Sequence, residues 1–545
     1  MKKPLVIGGI IVAVIVVILA ILPLLINANS FKPRVQDELT KALGRPVAIG
    51  DLDASIYSGG ITAKNITIAE DQAFGQQPFI QAQALKIGVE IIPLILSKKV
   101  KIQSLTLRSP EVHLLQDQAG KWNFASLGGQ KDTKSSHPGT ETSSGDEVSV
   151  NKLDIEGGKI TVGKVGEPLR TYSDVSLKAS DLSYTNAFPF EVTAKTPGNG
   201  SLDIKGSAGP INQQDSSATP LQADITVKNL DLATTGFTDP KSGIAGSADF
   251  TGKVKSNGTE IDSGGDITIK NGKFAPAAQP SGVPITVKYA ANYKIAQQMA
   301  DITSGTINVG KDAAQLTGTI NMKPAKPVLN AKLNGNGLAV QELEAALPAF
   351  GVVLPPSAKL QNGTANAHFA ITGPADNPVT VGDAALNNAT LQNFDLGSKL
   401  KGIGSLAGIS SSKDTVIQQL SSNLHNSQQG TQVTNLVLIV PSIGTITGQG
   451  TIGANGELDL HLVLKLTSGI AGAAGGVISQ VGGLGGLTKG AGANGIPVTV
   501  KGTTQNPQFL PDMGGLVKNV NPLGNATKPD VGGIVGGLFG KKKPK

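Results

Sequence analysis

The stretch Val100–Leu114 sets the pattern that the rest of the chain repeats. Its apolar residues fall at Val100, Ile102, Leu105, Leu107, Val112 and Leu114, with polar residues between them and a break at Ser109-Pro110. Alternation on either side of a Ser-Pro break predicts two β-strands joined by a turn, each with one apolar face. The same spacing returns 48 residues later as Val148, Val150, Leu153, Ile155, Ile160 and Val162, with Gly158 at the expected turn. It returns again at Val379, Val381, Ala384, Leu386, Ala389 and Leu391, and in shorter form at Ile267, Ile269, Gly272 and Phe274. One supersecondary unit, a one-sided hairpin, therefore recurs along the chain.

The remaining elements read in order. Leu5–Ile26 is apolar and long enough to cross a bilayer as a helix. Lys2 and Lys3 precede it, so residues 1–4 form a cytoplasmic tip and everything after residue 26 is exported. A cleaved signal peptide is the alternative, since Ala28-Asn29-Ser30 is a tolerable cleavage pattern, but the apolar run exceeds the usual signal core of about 7–15 residues. Phe31, Val35, Leu39 and Leu43 make an i, i+4 stripe, predicting a short amphipathic helix that Gly44 ends. Residues 27–127 form a first β module, closed by the single tryptophan, Trp122. Residues 128–147 are polar and rich in Ser, Thr and Gly, a disordered linker. Residues 148–335 read as strand after strand, with Asn271-Gly272 and Asn334-Gly335 as turns. A last β region spans 336–510. It includes a short helix at 340–347 ended by Pro348, helical pieces over 396–421, and a Gly-rich insert at 468–495. Its longest apolar stripe is Leu458, Leu460, Leu462, Leu464 and Leu466. Residues 511–545 are an irregular basic tail.

Composition narrows the function. Charged residues are 16% of the 545, aromatic residues 4%, and the net charge is +7 from 47 basic and 40 acidic residues. Few flat π faces and no basic cluster interleaved with aromatics argue against nucleic-acid binding. The chain has no cysteine, which removes disulfides, thiolate metal sites and a Cys nucleophile. The five histidines stand apart from one another, and His113 and His461 occupy polar positions of alternating strands. Gly448-Gln-Gly450-Thr-Ile-Gly453 matches a dinucleotide fingerprint in letters only, because a turn and a strand come after it where phosphate binding needs a helix N-terminus. No catalytic residue, metal site or cofactor is expected, and the chain reads as a non-enzyme.

Several short motifs resemble the AsmA family of diderm bacteria. They are the N-terminal span and short helix, Gly44-Arg45-Pro46-Val47, the Ser-Pro unit, and Gly120-Lys121-Trp122-Asn123. Near the other end they are Leu391–Gly397, Gly448-Gln449-Gly450 through Leu466, and Val498–Thr503 with Pro507. The middle is similar only in its β-repeat style, and 468–495 departs from the family pattern. The resemblance implies an inner-membrane-anchored periplasmic protein of outer-membrane assembly, and larger relatives are thought to carry phospholipid along a repeating β-groove. The bottom-up expectation agrees: a mainly β fold, an elongated and curved antiparallel sheet with few helices, whose apolar face must curl on itself or bury something else. About 20 strands would extend on the order of 100 Å.

The groove candidates are Ile102, Leu105, Leu107, Val112, Ile155 and Ile160, with Leu458, Leu460, Leu462, Leu464 and Leu466. Phospholipid is the expected ligand, the inner membrane the expected attachment through residues 5–26, and an outer-membrane or envelope protein an expected partner. Two other readings stay open: a structural scaffold influencing insertion of outer-membrane proteins, in which those leucines would be fully buried, and an exported enzyme.

Overall fold

The computed structural model describes residues 28–55, 60–90, 102–127, 150–212, 218–235, 242–276, 278–324, 326–401, 409–467 and 495–512. The expected tip and membrane segment (1–4 and 5–26), the linker 128–147, the Gly-rich insert but for Gly495, and the tail beyond Asp512 lie outside them. Among the described residues no helix is long and apolar enough to cross a membrane.

In chain order the strands are β1 (Val47–Ala48), β2 (Leu52–Ser55), β3 (Gly60–Ile68), β4 (Ile80–Val89), β5 (Ile102–Arg108), β6 (Glu111–Gln116), β7 (Val150–Lys164), β8 (Arg170–Leu182) and β9 (Phe188–Lys195). Next come β10 (Ser201–Ala208), β11 (Leu221–Asp231), β12 (Ala245–Ser256), β13 (Glu260–Lys273), β14 (Ile285–Lys294), β15 (Met299–Val309), β16 (Asp312–Asn321) and β17 (Val328–Ala339). The last are β18 (Lys359–Gln361), β19 (Thr364–Pro374), β20 (Val379–Gln392), β21 (Thr415–Ser427), β22 (Gly430–Val440), β23 (Gly444–Gly453), β24 (Leu458–Leu466), β25 (Ile496–Gly502) and β26 (Pro507–Pro511). The α-helices are short: α1 (Lys32–Leu43), α2 (Val340–Glu344) and α3 (Leu396–Lys401). Pro348 does not simply end α2, because it sits inside a 3-10 turn at Leu347–Phe350. Two compact units result. One holds the described residues up to Val353 with Ala365–Gly382, and the other holds Leu354–Thr364 and the described residues from Asp383 onward.

The expected hairpin at 100–114 is not a hairpin. β5 and β6 are two halves of one interrupted strand, and both pair in parallel with β7. Each residue faces the one 48 positions later, from Ile102 opposite Val150 through Leu107 opposite Ile155 to Gln116 opposite Lys164. The two sequence copies therefore lie side by side in register. β4 runs antiparallel on the other edge of β5 and β6. A parallel pairing needs a long crossover, and β6 and β7 are separated in sequence by residues 117–149, of which 128–149 lie outside the described residues.

The misreading has one physical cause. In β7, Leu153 and Ile155 have odd numbers whereas Ile160 and Val162 have even ones. In an unbroken strand those pairs would point to opposite faces. Gly157 adopts φ +62°, and the extra residue there restores the face. The same device recurs at Asn65 (φ +51°) in β3, Ser109 (φ +44°) between β5 and β6, Asn229 (φ +51°) in β11, Asn271 (φ +51°) in β13, Asn388 (φ +54°) in β20 and Asn435 (φ +51°) in β22. Asn and Gly tolerate this left-handed conformation, whereas β-branched residues do not. Where one strand of a pair carries the extra residue, the register shifts, as between Val227 and Leu230 of β11. The Ser-Pro and Asn-Gly signals of 109–110 and 271–272 are thus mid-strand bulges rather than turns, and Asn334-Gly335 also lies inside a strand, β17. A phase change also explains why 415–421 looked helical. Thr415 and Ile417 are buried and alternate with exposed Val416 and Gln418, and a register shift at Ser421–Asn423 scrambles the rest.

The first unit begins with a closed core. The predicted stripe of α1, Val35, Leu39 and Leu43, packs with Ile61, Phe79, Ile87, Ile102 and Leu105. Beside it lies a buried ion pair that the sequence did not reveal. Arg45 Nη1 donates to Glu70 Oε1 at 3.0 Å, with the two side chains 5% and 2% exposed. Arg45 Nη2 donates to the Asn123 carbonyl oxygen at 2.5 Å, and its guanidinium lies over the Phe79 ring at 5.1 Å. Asn123 is fully buried; its Nδ2 donates to Glu70 Oε2 and to the His113 carbonyl, and its Oδ1 accepts from the Leu115 N–H. Gly44-Arg45-Pro46-Val47 and Gly120-Lys121-Trp122-Asn123, distant in sequence, are the two sides of this network.

These features are open to measurement. Replacing Asn229 by Val, which resists positive φ, should cost about 1–3 kcal/mol in thermal unfolding, while Asn229→Gly stays within about 0.5 kcal/mol of the parent. Glu70→Ala leaves Arg45 buried without its main counter-charge and should cost about 3 kcal/mol or more, seen as a lowered melting temperature. The Asp71 carboxyl is held below its ordinary value by the Ala73 N–H, then the Ser126 hydroxyl and the Arg45 charge, against burial, which raises it. A depressed folded-state value stabilises above the unfolded value and is lost as pH falls through the folded one. Asp71→Asn should therefore lose less stability than the parent on acidification below about pH 4.

Candidate functional site

The expected groove residues divide into closed and open places. Ile102 and Leu105 are buried beneath α1, with Leu107 packed at the margin of that core. In the second unit, Leu462 and Leu464 are buried with Leu396 and Leu400 of α3, Val440, Ile446 and Val498, and Leu458, Leu460 and Leu466 pack half-buried around them. A short helix of the chain itself packs with each set, and Ile102, Leu105, Leu462 and Leu464 are buried while Leu107, Leu458, Leu460 and Leu466 stay half-buried. Gly448 and Gly450 of β23 lie under Leu462 and Leu460, where an added Cβ would meet the leucine Cδ2 atoms at 2.7 and 2.9 Å. Those glycines serve close strand packing. Val112, Ile155 and Ile160 are half-buried on β6 and β7, where an open face begins.

That face covers β8 to β17. Val227, Phe250, Ile267, Val287, Ile307 and Ala314 stand opposite one another in succession across β11 to β16. One step along the strands, Leu177, Val192, Ile204 and Ile225 do the same across β8 to β11. That second row continues through Gly252, Gly265, Tyr289 and Gly305, and Leu316 faces Leu333 farther on. Ten strands at about 4.8 Å make this face roughly 45 Å across.

Its exposure separates it from a closed core. Among the described residues between Val150 and Lys273 the buried hydrophobic ones are Ala179, Phe188, Ala194, Ala223 and Ala248. Every large aliphatic residue named in the two rows is only half-buried. Cover exists at one end. Leu343 of α2 and Ala346 pack on Ile285, Ile307, Val309 and Phe274. Phe274 N–H and Gly282 N–H bond the Ala349 and Ala345 carbonyl oxygens at 2.8 Å, and the Phe274 and Phe350 rings stack at 5.1 Å. The other side of the same strands carries charge, with Lys205 beside Glu191 and Lys253 beside Asp224, both at 3.2 Å, and Lys294 beside Asp301 at 2.9 Å. Exposed pairs of this kind contribute little stability, but they keep that side in water.

Among the described residues no group of three or more His, Asp or Glu side chains could hold a metal ion. His113 Nδ1 lies 2.8 Å from the Pro78 carbonyl oxygen, His368 Nε2 lies 2.8 Å from Asn336 Oδ1, and His461 stands between Asp459 and Asp512 at 3.4 and 3.7 Å. His137 lies outside the described residues. The sequence pointed to the ends of the chain as candidates and passed over the middle, although Ile225, Val227, Val287 and Leu333 alternate as clearly. The closed sets differ from the open one in the company each stripe keeps. A helix-forming segment packs beside each closed set, whereas along most of the open stripes the neighbours are further one-sided strands, with α2 at one end.

The family model for the AsmA family matches residues 1–405, and the chain belongs to that family. The match takes in the open face and the Arg45–Asn123 network; the strands from β21 onward lie beyond it. No curated relative and no solved structure matches the chain.

Cysteine labelling tests the openness of the face. A cysteine at Val287 should react rapidly with a small membrane-permeant maleimide in the folded, lipid-stripped chain, whereas a cysteine at Leu464 should react only on unfolding.

Proposed function

We propose that this AsmA-family protein binds or conducts phospholipid acyl chains along the apolar face of β8 to β17, and in this way supports outer-membrane assembly and lipid homeostasis. In this reading residues 5–26 anchor it in the inner membrane with the N-terminus cytoplasmic, the bulk of the chain lies in the periplasm, and it is not an enzyme. One observation carries the proposal: across ten consecutive one-sided strands the large aliphatic side chains of the two rows stay half-buried, with cover from α2 and the 3-10 turn at one end. Burying apolar surface is worth about 25 cal/mol per Å², or roughly 0.8 kcal/mol per methylene, so a dozen methylenes laid on this face would gain on the order of 10 kcal/mol before ordering costs. Family membership supports a role in envelope and lipid assembly. A patch this large on a protein in water marks a binding surface.

A second reading, a scaffold that influences insertion of outer-membrane proteins, draws on a different observation. Leu462 and Leu464 are sealed by the chain's own residues, so the second unit has a closed core of the kind a protein–protein module would have.

Mass spectrometry of lipids co-purified with the full chain separates the two. The parent should carry phospholipid, and Val287→Lys or Ile267→Asp should lose most of it while keeping the β-sheet circular dichroism signal. A parent free of lipid, or variants that carry as much as the parent, would refute the acyl-chain reading. Leu462 does not suit this test, because a charge there would be buried inside a packed core.

A further inference from the structure

Two hydroxyls meet in the middle of this mostly apolar face. Ser263 Oγ of β13 and Tyr289 Oη of β14 are 2.9 Å apart. Both residues are on the apolar side of their strands. Tyr289 stands opposite Gly265, and its ring reaches diagonally toward Ser263. In the two rows already described and in the row Val254, Ser263, Ala291, Ile302 and Gly318 beside them, every other position from β9 to β17 is Ala, Val, Leu, Ile, Phe or Gly.

The local sequence explains how Tyr289 is held. Its ring stacks on Phe250 with centroids 6.2 Å apart and 24° between planes. Phe250 lies over the glycine floor, since a Cβ on Gly265 would come within 2.7 Å of its Cε2. The absence of side chains at Gly252 and Gly265 thus lets Phe250 lie down and gives Tyr289 a plane to stack on. Packing fixes the phenol oxygen and leaves it no choice of position.

The chemistry of the pair is incomplete. Each hydroxyl has one donor and two acceptor sites. The bond between them uses one donor, so one O–H remains to be spent, on a face where the neighbouring side chains offer no acceptor. A buried donor without a partner costs about 1–3 kcal/mol. An acyl chain lying over Phe250 and Val287 would exclude the water that could otherwise serve.

We propose that the Ser263–Tyr289 hydroxyl pair is a subsite for the ester carbonyl of a diacyl glycerophospholipid, donating its remaining O–H to that oxygen. This rests on the acyl-chain reading of the face. The subsite sets the depth at which the lipid lies, with tails on the aliphatic rows and the glycerol ester at Tyr289. It selects ester-linked over ether-linked lipid, because an ether lacks the carbonyl oxygen.

The test is a binding competition on the full chain, in detergent, between dioleoyl phosphatidylethanolamine and its dialkyl ether analogue of equal chain length. Each displaces a bound fluorescent acyl probe. The parent should prefer the ester about five-fold, the size of one neutral hydrogen bond. Tyr289→Phe keeps the stack on Phe250 and should abolish the preference without weakening ether binding, and Ser263→Ala should reduce it. Equal affinity of the parent for both lipids, or a preference that survives Tyr289→Phe, would overturn the subsite and leave the acyl-chain reading standing. Failure of the parent to bind either lipid would overturn that reading and the subsite with it.

Discussion

The one-sidedness of these strands depends on single residues held at positive φ in mid-strand. A strand alternates its side chains with period two, so a long strand with an apolar face must keep one parity from end to end. Here the parity changes within β3, β7, β11, β13 and β22, and a left-handed Asn or Gly at the change returns the next apolar residue to the same side. Each such residue also bends its strand and increases its twist. Where neighbours change phase together, as β5–β6 and β7 do at Ser109 and Gly157, the pairing runs through unbroken at a constant offset. Where only one strand changes, the ladder shifts. Long strands, a continuous apolar face and local curvature are thus one constraint seen in three ways.

The same constraint decides what could be read from the sequence. The apolar arithmetic of 100–114 was legible, and so was its repetition at 148, because both depend only on which residues avoid water. Its meaning was not legible. Ser-Pro and Asn-Gly are turn residues because they tolerate special backbone angles, and a mid-strand bulge asks for the same tolerance. Periodicity cannot tell the two apart, since only long-range pairing shows that β5–β6 continues past Ser109. The stripe of α1 was legible from Val35, Leu39 and Leu43. The Arg45–Glu70–Asn123 network was visible only as motif letters, because its parts are brought together by β1, β4 and β6. The open face was legible as alternation. Its openness was not, because burial depends on whether something else packs there.

That difference organises the molecule's chemistry. At α1 and α3 a short helix lays its own apolar residues on the sheet, and Ile102, Leu105, Leu462 and Leu464 are sealed. From β8 to β17 the chain adds strand after strand, and among the described residues the cover it supplies is at α2 and the 3-10 turn beside it. The polar side of these strands carries ion pairs such as Lys205–Glu191 and Lys253–Asp224, and the apolar side is the one the proposal assigns to acyl chains. Within its central rows the hydroxyls of Ser263 and Tyr289 meet at one point, the place proposed to set the register of a lipid. Membership of the AsmA family supports a role in envelope and lipid assembly, and the acyl-chain proposal rests on the open face.

Photo-crosslinking along a single strand tests the central claim most directly. A benzophenone amino acid placed in turn at Thr286, Val287, Lys288, Tyr289 and Ala290 of the full chain samples both sides of β14 in living cells. The account predicts crosslinks to phospholipid at Val287 and Tyr289 and none at Thr286, Lys288 and Ala290, a period-two pattern. Equal labelling at all five positions, or crosslinks to protein alone at Val287 and Tyr289, would contradict it.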